Sequence, residues 1–274
     1  MDCNGKVLDL TTPVVMGILN ITPDSFFDGG KYTDEQTILT QVQTMITEGA
    51  TIIDVGAVST RPGADEVSEE EELKRLIGAI RIIRKNYSDL IISVDTCRAS
   101  VAKEAIRAGA DMINDISGGE YDPNMFATIA ELQVPYVLMH MQGTPRDMQQ
   151  NPQYTDVVKE VYLFFKHKAE QLTALGVRDI ILDPGFGFGK TLKHNYQLLK
   201  HLSLFSELGY PILVGVSRKS MINKVLGTTP DCALNGTTAL HTLAIMNGAR
   251  ILRVHDVLEA REVVKLMNMY SHSS

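Results

Sequence analysis

Gly109-Ala110-Asp111-Met112-Ile113-Asn114-Asp115 is the stretch from which the fold can be read. A glycine closes a helical segment, one alanine and one acid follow, and a short apolar run then ends on polar residues. Glycine just past a helix supplies the left-handed cap, and so brief a link suits entry into a parallel strand. The same phrase returns at Gly49-Ala50-Thr51-Ile52-Ile53-Asp54 and at Gly248-Ala249-Arg250-Ile251-Leu252-Arg253, and Gly176-Val177 plays a similar part before Ile180.

Outward from these phrases, β-branched apolar runs occur at residues 14–19, 51–56, 90–95, 112–116, 135–140, 179–183, 211–216 and 250–254. Near-continuous apolarity suits strands buried on both faces. Helical spacing separates them: Leu73, Leu76, Ile77, Ile80 and Ile83 make one stripe behind a capping box at Ser68 and Glu71. Thr33 and Gln36 offer a second box before Ile38, Val42 and Ile46. Eight strand–helix units predict an α/β fold, a single-domain (β/α)8 TIM barrel over residues 1–274, with an open doubly wound sheet as the alternative. Residues 271–274, SHSS, are expected to be a disordered tail. The long connections 20–33, 57–68 and 141–153 follow strands 1, 2 and 5, so in a barrel they lie on the catalytic face.

The 274 residues carry a formal net charge of −7, which argues against a nucleic-acid partner. Cys3, Cys97 and Cys232 are odd in number and widely spaced, so free thiols in a reducing compartment are expected. No apolar run approaches the roughly 20 residues of a membrane span. The N-terminus lacks the basic-then-apolar pattern of a signal peptide, and the expected location is cytoplasmic, with no membrane partner.

Polar residues close each apolar run: Asn20, Asp54, Asp95, Asn114 with Asp115, His140, Asp183, Ser217 with Arg218 and Lys219, and Arg253 with His255. A barrel would bring all eight groups to one mouth, which a purely structural barrel does not need. Arg61, Arg218, Lys219, Arg253 and His255 could form a cationic patch suited to a phosphate or diphosphate. Surface ion pairing is the alternative for Arg61 and Arg218. Asp95, Asp183 and Asn114 supply acceptors for a ring edge that carries adjacent N–H donors. Capping of the next helix is the alternative for the aspartates.

PGFGFGKT at 184–191 fails the phosphate-loop pattern because Pro184 stands where glycine is required, and it fails the dinucleotide pattern at Leu192. Gly187 and Gly189 are read instead as letting the backbone approach a ligand, with Phe186 or Phe188 offering a ring and the other one packing. Ile116 and Met139 could line a flat pocket or belong to the core. No His or Cys cluster has zinc spacing. Asn20, with Asp28 or Asp24 from the first loop, could hold Mg²⁺ bound mainly by ligand phosphates and water. No nucleophile elbow is present, and Cys97 has no nearby His in sequence, so it is read as an inert small residue.

Taken together, Asn20-Ile21-Thr22-Pro23-Asp24-Ser25-Phe26, Ser59-Thr60-Arg61-Pro62-Gly63, Ser93-Val94-Asp95-Thr96 and Ile113-Asn114-Asp115-Ile116-Ser117-Gly118-Gly119 resemble the dihydropteroate synthase family. Met139-His140, the segment from Asp183 to Lys190, Ser217-Arg218-Lys219-Ser220 and Arg253-Val254-His255-Asp256-Val257 extend the likeness in family order to near residue 260. The resemblance implies a pterin-binding barrel and a transferase. The implied reaction joins 6-hydroxymethyl-7,8-dihydropterin diphosphate to 4-aminobenzoate, giving 7,8-dihydropteroate and diphosphate in folate biosynthesis.

By motif, Asp95, Asn114, Ile116, Met139, Asp183, Phe188 and Lys219 become pterin contacts. Asn20, Thr60, Arg253 and His255 resemble the diphosphate region, with Asn20 also on the metal, and Arg61, Pro62, Phe188 and Ser220 the arylamine subsite. The catalytic group implied is Lys219, Arg253, His255 and Asp28. The family is a sulfonamide target and favours a homodimer, for which the apolar segment 257–270 offers surface. Two departures touch loops: Ala57-Val58 stands where the family often has Gly-Glu, and Phe27 where a small residue is usual. A methyltetrahydrofolate–corrinoid methyltransferase would have no use for Thr60-Arg61, Lys219 and Arg253-His255, and a non-catalytic pterin-binding paralogue would be expected to lose Asn20, Lys219 or Arg253, none of which is lost. A sugar-phosphate isomerase would need an acid–base pair that does not stand out.

Overall fold

A computed structural model describes residues 1–21, 31–57, 67–144 and 147–273, with the side chains of 31–34 excepted. An antiparallel hairpin, β1 (Asp2–Cys3) and β2 (Lys6–Val7), opens the chain. Then strands and helices alternate: β3 (Val14–Asn20), α1 (Lys31–Glu48), β4 (Ile52–Gly56), α2 (Glu69–Asn86), β5 (Ile91–Asp95), α3 (Ala99–Arg107), β6 (Met112–Asp115) and α4 (Met125–Leu132). The series continues with β7 (Tyr136–Met139), α5 (Val157–Ala174), β8 (Ile180–Asp183), α6 (Leu192–Lys200), β9 (Ile212–Val214), α7 (Ser220–Leu226), α8 (Leu234–Met246), β10 (Ala249–Val254) and α9 (Val257–Ser271). Strands β3 to β10 are all parallel and close on themselves, β10 pairing with β3, so the closed barrel stands and the open sheet does not.

Alternation along each strand sorts the side chains. One set, including Val15, Ile53, Val55, Ile92, Val94 and Leu252, packs outward in the large core beneath the helices. The other set faces the lumen, where Met16, Ile52, Ile91, Met112, Val137, Ile181, Leu213 and Ile251 form a separate apolar plug. Cys3 and Leu8 of the N-terminal segment join that plug, so the hairpin stoppers the lower end. Below the plug Asp111 is fully buried and accepts from Lys6 Nζ at 2.6 Å, Arg84 Nη2 at 2.5 Å and the Ile92 amide at 2.9 Å.

Local signals behaved unevenly. Ser68 caps α2 by accepting from the Glu71 amide, but the Glu71 carboxylate turns to Arg75, so half of the expected box forms. Helix α1 starts at Lys31, which puts Thr33 inside the first turn and not at a cap. Helix α9 continues through Ser271, one residue into the expected tail. Among the described residues no helix is long and apolar enough to cross a membrane.

Candidate active site

Two residues further along five of the strands, the apolar plug of the lumen gives way to polar groups. Ile52 leads to Asp54, Ile91 to Ser93 and Asp95, Met112 to Asn114, Ile181 to Asp183 and Ile251 to Arg253. The same inward alternation therefore builds a floor and then a site at the C-terminal mouth. Met139 follows Val137 in this way; it and Ile116 are buried but belong to neither apolar cluster.

Charge is arranged tightly there. Arg253 donates from Nε to Asp54 at 2.6 Å and from Nη2 to Asp95 at 3.0 Å. Asp54 also accepts from Ser93 Oγ at 2.6 Å and Asn114 Nδ2 at 3.0 Å. Burial raises the Asp95 carboxyl to about 7, against the pull of Arg253 and with the push of Asp54. Asp183 is raised too, by burial, although the Lys219 charge and the Gly185 amide oppose this. Lys219 is lowered to about 8 by burial; its ammonium donates to the Phe186 carbonyl and stands 4.6 Å over the Phe188 ring. The cleft thus offers under-partnered acceptors, one inward cation fork and a second cation over an aromatic ring.

Four strand-end groups do not join it as the sequence suggested. Asp115 follows inward-facing Asn114 and so turns outward, accepting from Tyr136 Oη, Ser117 and the Gly119 amide. His140 follows Met139, turns outward likewise, and packs edge-on against Phe164. Its burial pushes the imidazole well below its usual range, and Nδ1 lies 3.1 Å from Lys190 Nζ. Arg218 is held away by a fork on Asp256, at 2.9 and 2.6 Å, with left-handed backbone at φ 57°. The His255 imidazole is lowered to about 4 by desolvation and then by the Arg253 charge, which takes it out of the expected cationic set, and Nδ1 lies 3.2 Å from Ser217 Oγ. The expected cationic patch contracts to Arg253 and Lys219 among the described residues.

Loop 184–190 corrects the reading of its glycines. At Gly189 a Cβ would lie 2.2 Å from the Gln142 carbonyl oxygen, so the close approach is to backbone and not to a ligand. At Gly187 a Cβ would stand 3.2 Å from Cδ of Lys219, whose side chain uses that space. Phe186 is fully buried in the outer core while Phe188 is partly exposed beside Lys219. Lys190 is buried and donates to the carbonyls of His140, Gly185 and Phe188, a clamp that the motif reading missed.

Ser220 is exposed at the first turn of α7, by a cavity of about 240 Å³ that Gln149, Asn195 and Lys224 also line. Asn20 is exposed at the end of β3, its Oδ1 3.6 Å from where a Cβ on Gly56 would lie. Among the described residues no cluster of three His, Cys, Asp or Glu side chains is arranged to hold a metal ion. One exposed carboxamide fits a magnesium ion carried mainly by phosphate oxygens and water. Asp24, Asp28, Thr60, Arg61 and Pro62, with Phe27 and Val58, lie outside the described residues. Cys97 is held as a thiol by burial, then by Asp115 and Asp95.

A polar barrel mouth that presents carboxylates with a lysine and an arginine suits a nitrogen-rich ring bearing an anionic group. The sequence pattern of the family described as pterin binding enzyme matches residues 16–255. The chain belongs to that family. Within it, a dihydropteroate synthase from Haemophilus influenzae is 47% identical over 265 residues, 96% of each chain. The crystal structure of the Yersinia pestis dihydropteroate synthase with a sulfonamide drug superposes with a TM-score of 0.92 at 43% identity, covering 100% of this chain and 99% of that one. The Xanthomonas albilineans dihydropteroate synthase with 4-aminobenzoic acid gives 0.91 at 40% identity, covering 99% and 98%.

Proposed function

We propose that this chain is a dihydropteroate synthase, a transferase that condenses 6-hydroxymethyl-7,8-dihydropterin diphosphate with 4-aminobenzoate. The observation that carries the reading is the lumen set Asp95, Asn114, Asp183, Lys219 and Arg253 at the barrel mouth, in a chain 47% identical over 96% of its length to a synthase of that name. Asp95, Asn114 and Asp183 accept the N–H groups of the pterin edge. Met139, Ile116 and Phe188 cover its faces, and Lys219 donates to a ring acceptor.

The diphosphate lies toward Arg253, His255, Asn20 and Thr60. As the C–O bond breaks, its electron pair leaves with the diphosphate, and Arg253 meets the growing charge. Neutral His255 can still donate from Nε2 while Ser217 holds Nδ1. Magnesium, when bound at Asn20 with Asp28, neutralises part of the diphosphate charge. The methylene left behind is cationic and is delocalised into the ring. The 4-aminobenzoate nitrogen attacks it and gives up one proton, so no enzymic nucleophile is needed. Arg61, Pro62, Phe188 and Ser220 hold the arylamine, and a sulfonamide competes there.

The chain forms a homodimer through the last helices, where Leu266, Met269 and Tyr270 on α9 and Met246 on α8 are exposed apolar residues. Its free cysteines suit a reducing, cytoplasmic setting. The deciding experiment is diphosphate release by purified protein given the pterin diphosphate and Mg²⁺, with and without 4-aminobenzoate. Arylamine-dependent release with a pteroate product supports the synthase. Tight pterin binding without turnover refutes it in favour of a binding protein.

A further inference from the structure

We propose that Asp54 is a positioning residue for the pterin half of this site: its single carboxylate decides which atom Asn114 turns to the cleft and where the Arg253 fork is rooted. The proposal rests on the synthase reading above for the identity of the ring. Asp54 is fully buried in the lumen, one inward step below Gly56 on β4. Three neighbours from three other strands donate to it: Ser93 on β5, Asn114 on β6 and Arg253 on β10. Neither β6 nor β10 pairs with β4, so two of these bonds reach across the barrel and not along a ladder.

A carboxylate only accepts, so the Asn114 amide must aim its nitrogen at Asp54. The amide oxygen then points elsewhere, and no described residue donates to it. An amide free to turn over would present donors to a ring edge that is itself a donor. For Arg253 the division is similar. Nε stays on Asp54 at 2.6 Å, while Nη2 sits on Asp95 at 3.0 Å, where a ligand can take its place. Asp54 therefore holds the fork at its root and leaves its tips exchangeable.

The test is Asp54→Asn, which keeps the shape but lets either end of the new amide face Asn114. The KM for the pterin diphosphate should rise about tenfold or more, the range of coupling between groups in one buried network. The KM for 4-aminobenzoate should stay within about twofold, and thermal unfolding should remain cooperative. In an Asn114→Ala background the same change should cost less, about threefold, which is the share carried by the Arg253 fork once the amide that Asp54 orients is gone. A full tenfold cost in that background, or an unchanged pterin KM, overturns the proposal.

Ser93→Ala loosens Asp54 without removing it and guards against a variant that fails to fold. It should raise the pterin KM about two- to threefold, and no movement overturns the proposal. Binding of 6-hydroxymethyl-7,8-dihydropterin is measured on the same proteins. A wild type that binds this probe without turnover refutes the synthase reading alone, and the tenfold criterion then applies to its dissociation constant. A wild type that does not bind it overturns both.

Discussion

The base of this barrel and the mouth of its lumen treat their carboxylates differently. At the floor Asp111 has two cations and a backbone amide, so its capacity is filled within the protein. At the mouth Asp95 shares one arginine with Asp54, and among the described residues the Asp183 carboxylate accepts only the Gly185 amide. Burial raises both mouth carboxyls. A satisfied buried acid stabilises the chain by staying paired, and an under-satisfied one is available to a ligand. The comparison teaches that partner count, more than burial, separates carboxylates held for structure, Asp111 and also Asp54, from those left for a ligand, Asp95 and Asp183.

The sharpest way to break the comparison is to remove one charge from each end. Lys219→Ala at the mouth should lower kcat/KM by about 100-fold, roughly 2.7 kcal/mol of transition-state stabilisation, with the urea midpoint nearly unchanged. Asp111→Ala at the floor should do the reverse. It strands Lys6 and Arg84, and because both are about a fifth exposed the loss is put at about 2–3 kcal/mol, below the full cost of an orphaned buried charge. Steady-state kinetics and urea titration on both variants check this. Comparable stability losses from the two would erase the distinction.

Next in size is a pH effect that only the mouth should show. In the proposed site, pterin binding would need Asp95 ionised and Lys219 protonated. With Asp95 raised to about 7 and Lys219 lowered to about 8, affinity should fall on both sides of a narrow optimum between those values. Stability carries the opposite sign on the acid side. A carboxyl raised on folding contributes stability that is full below its unfolded value near 3.8 and is lost as pH rises through about 7. Lowering the pH from 7.5 to 5.5 should therefore weaken pterin binding while Asp95 itself favours the fold, measurable by titration calorimetry and thermal melts at each pH. Affinity that is flat over this interval would remove Asp95 from the pterin contacts.

The barrel was legible because its signal repeats: the Gly-Ala link and the apolar run recur, and closure follows from counting them. The mouth was legible residue by residue only where alternation was applied. Asn114 and Asp115 are neighbours in sequence, yet one faces the lumen and the other Tyr136, and the same step separates Met139 from His140. Asp54 carried the signal, two residues beyond Ile52 on the lumen side, but its partners Asn114 and Arg253 lie 60 and 199 residues away and meet it only when the barrel closes. Arg218 and His255 read as cations because composition shows charge but not burial or pairing. Gly189 read as a ligand contact for a similar reason, since only the folded chain brings the Gln142 backbone against it.

The smallest expected effect tests whether partner count at the floor is a graded quantity. Lys6 lies in the N-terminal hairpin and bonds Asp111 at 2.6 Å with its own side chain 23% exposed. Lys6→Ala removes one of three donors and leaves Arg84 and the Ile92 amide in place, so no buried charge is orphaned. An ion pair whose cation is still partly exposed contributes about 0.5–1 kcal/mol, and the hairpin keeps Cys3 and Leu8 in the plug. The urea midpoint should therefore drop by about a third of the Asp111→Ala shift, at unchanged kcat/KM. A loss as large as that of Asp111→Ala would mean that the hairpin is pinned by this one ammonium, and that the floor depends on a single cation as closely as the mouth depends on Arg253.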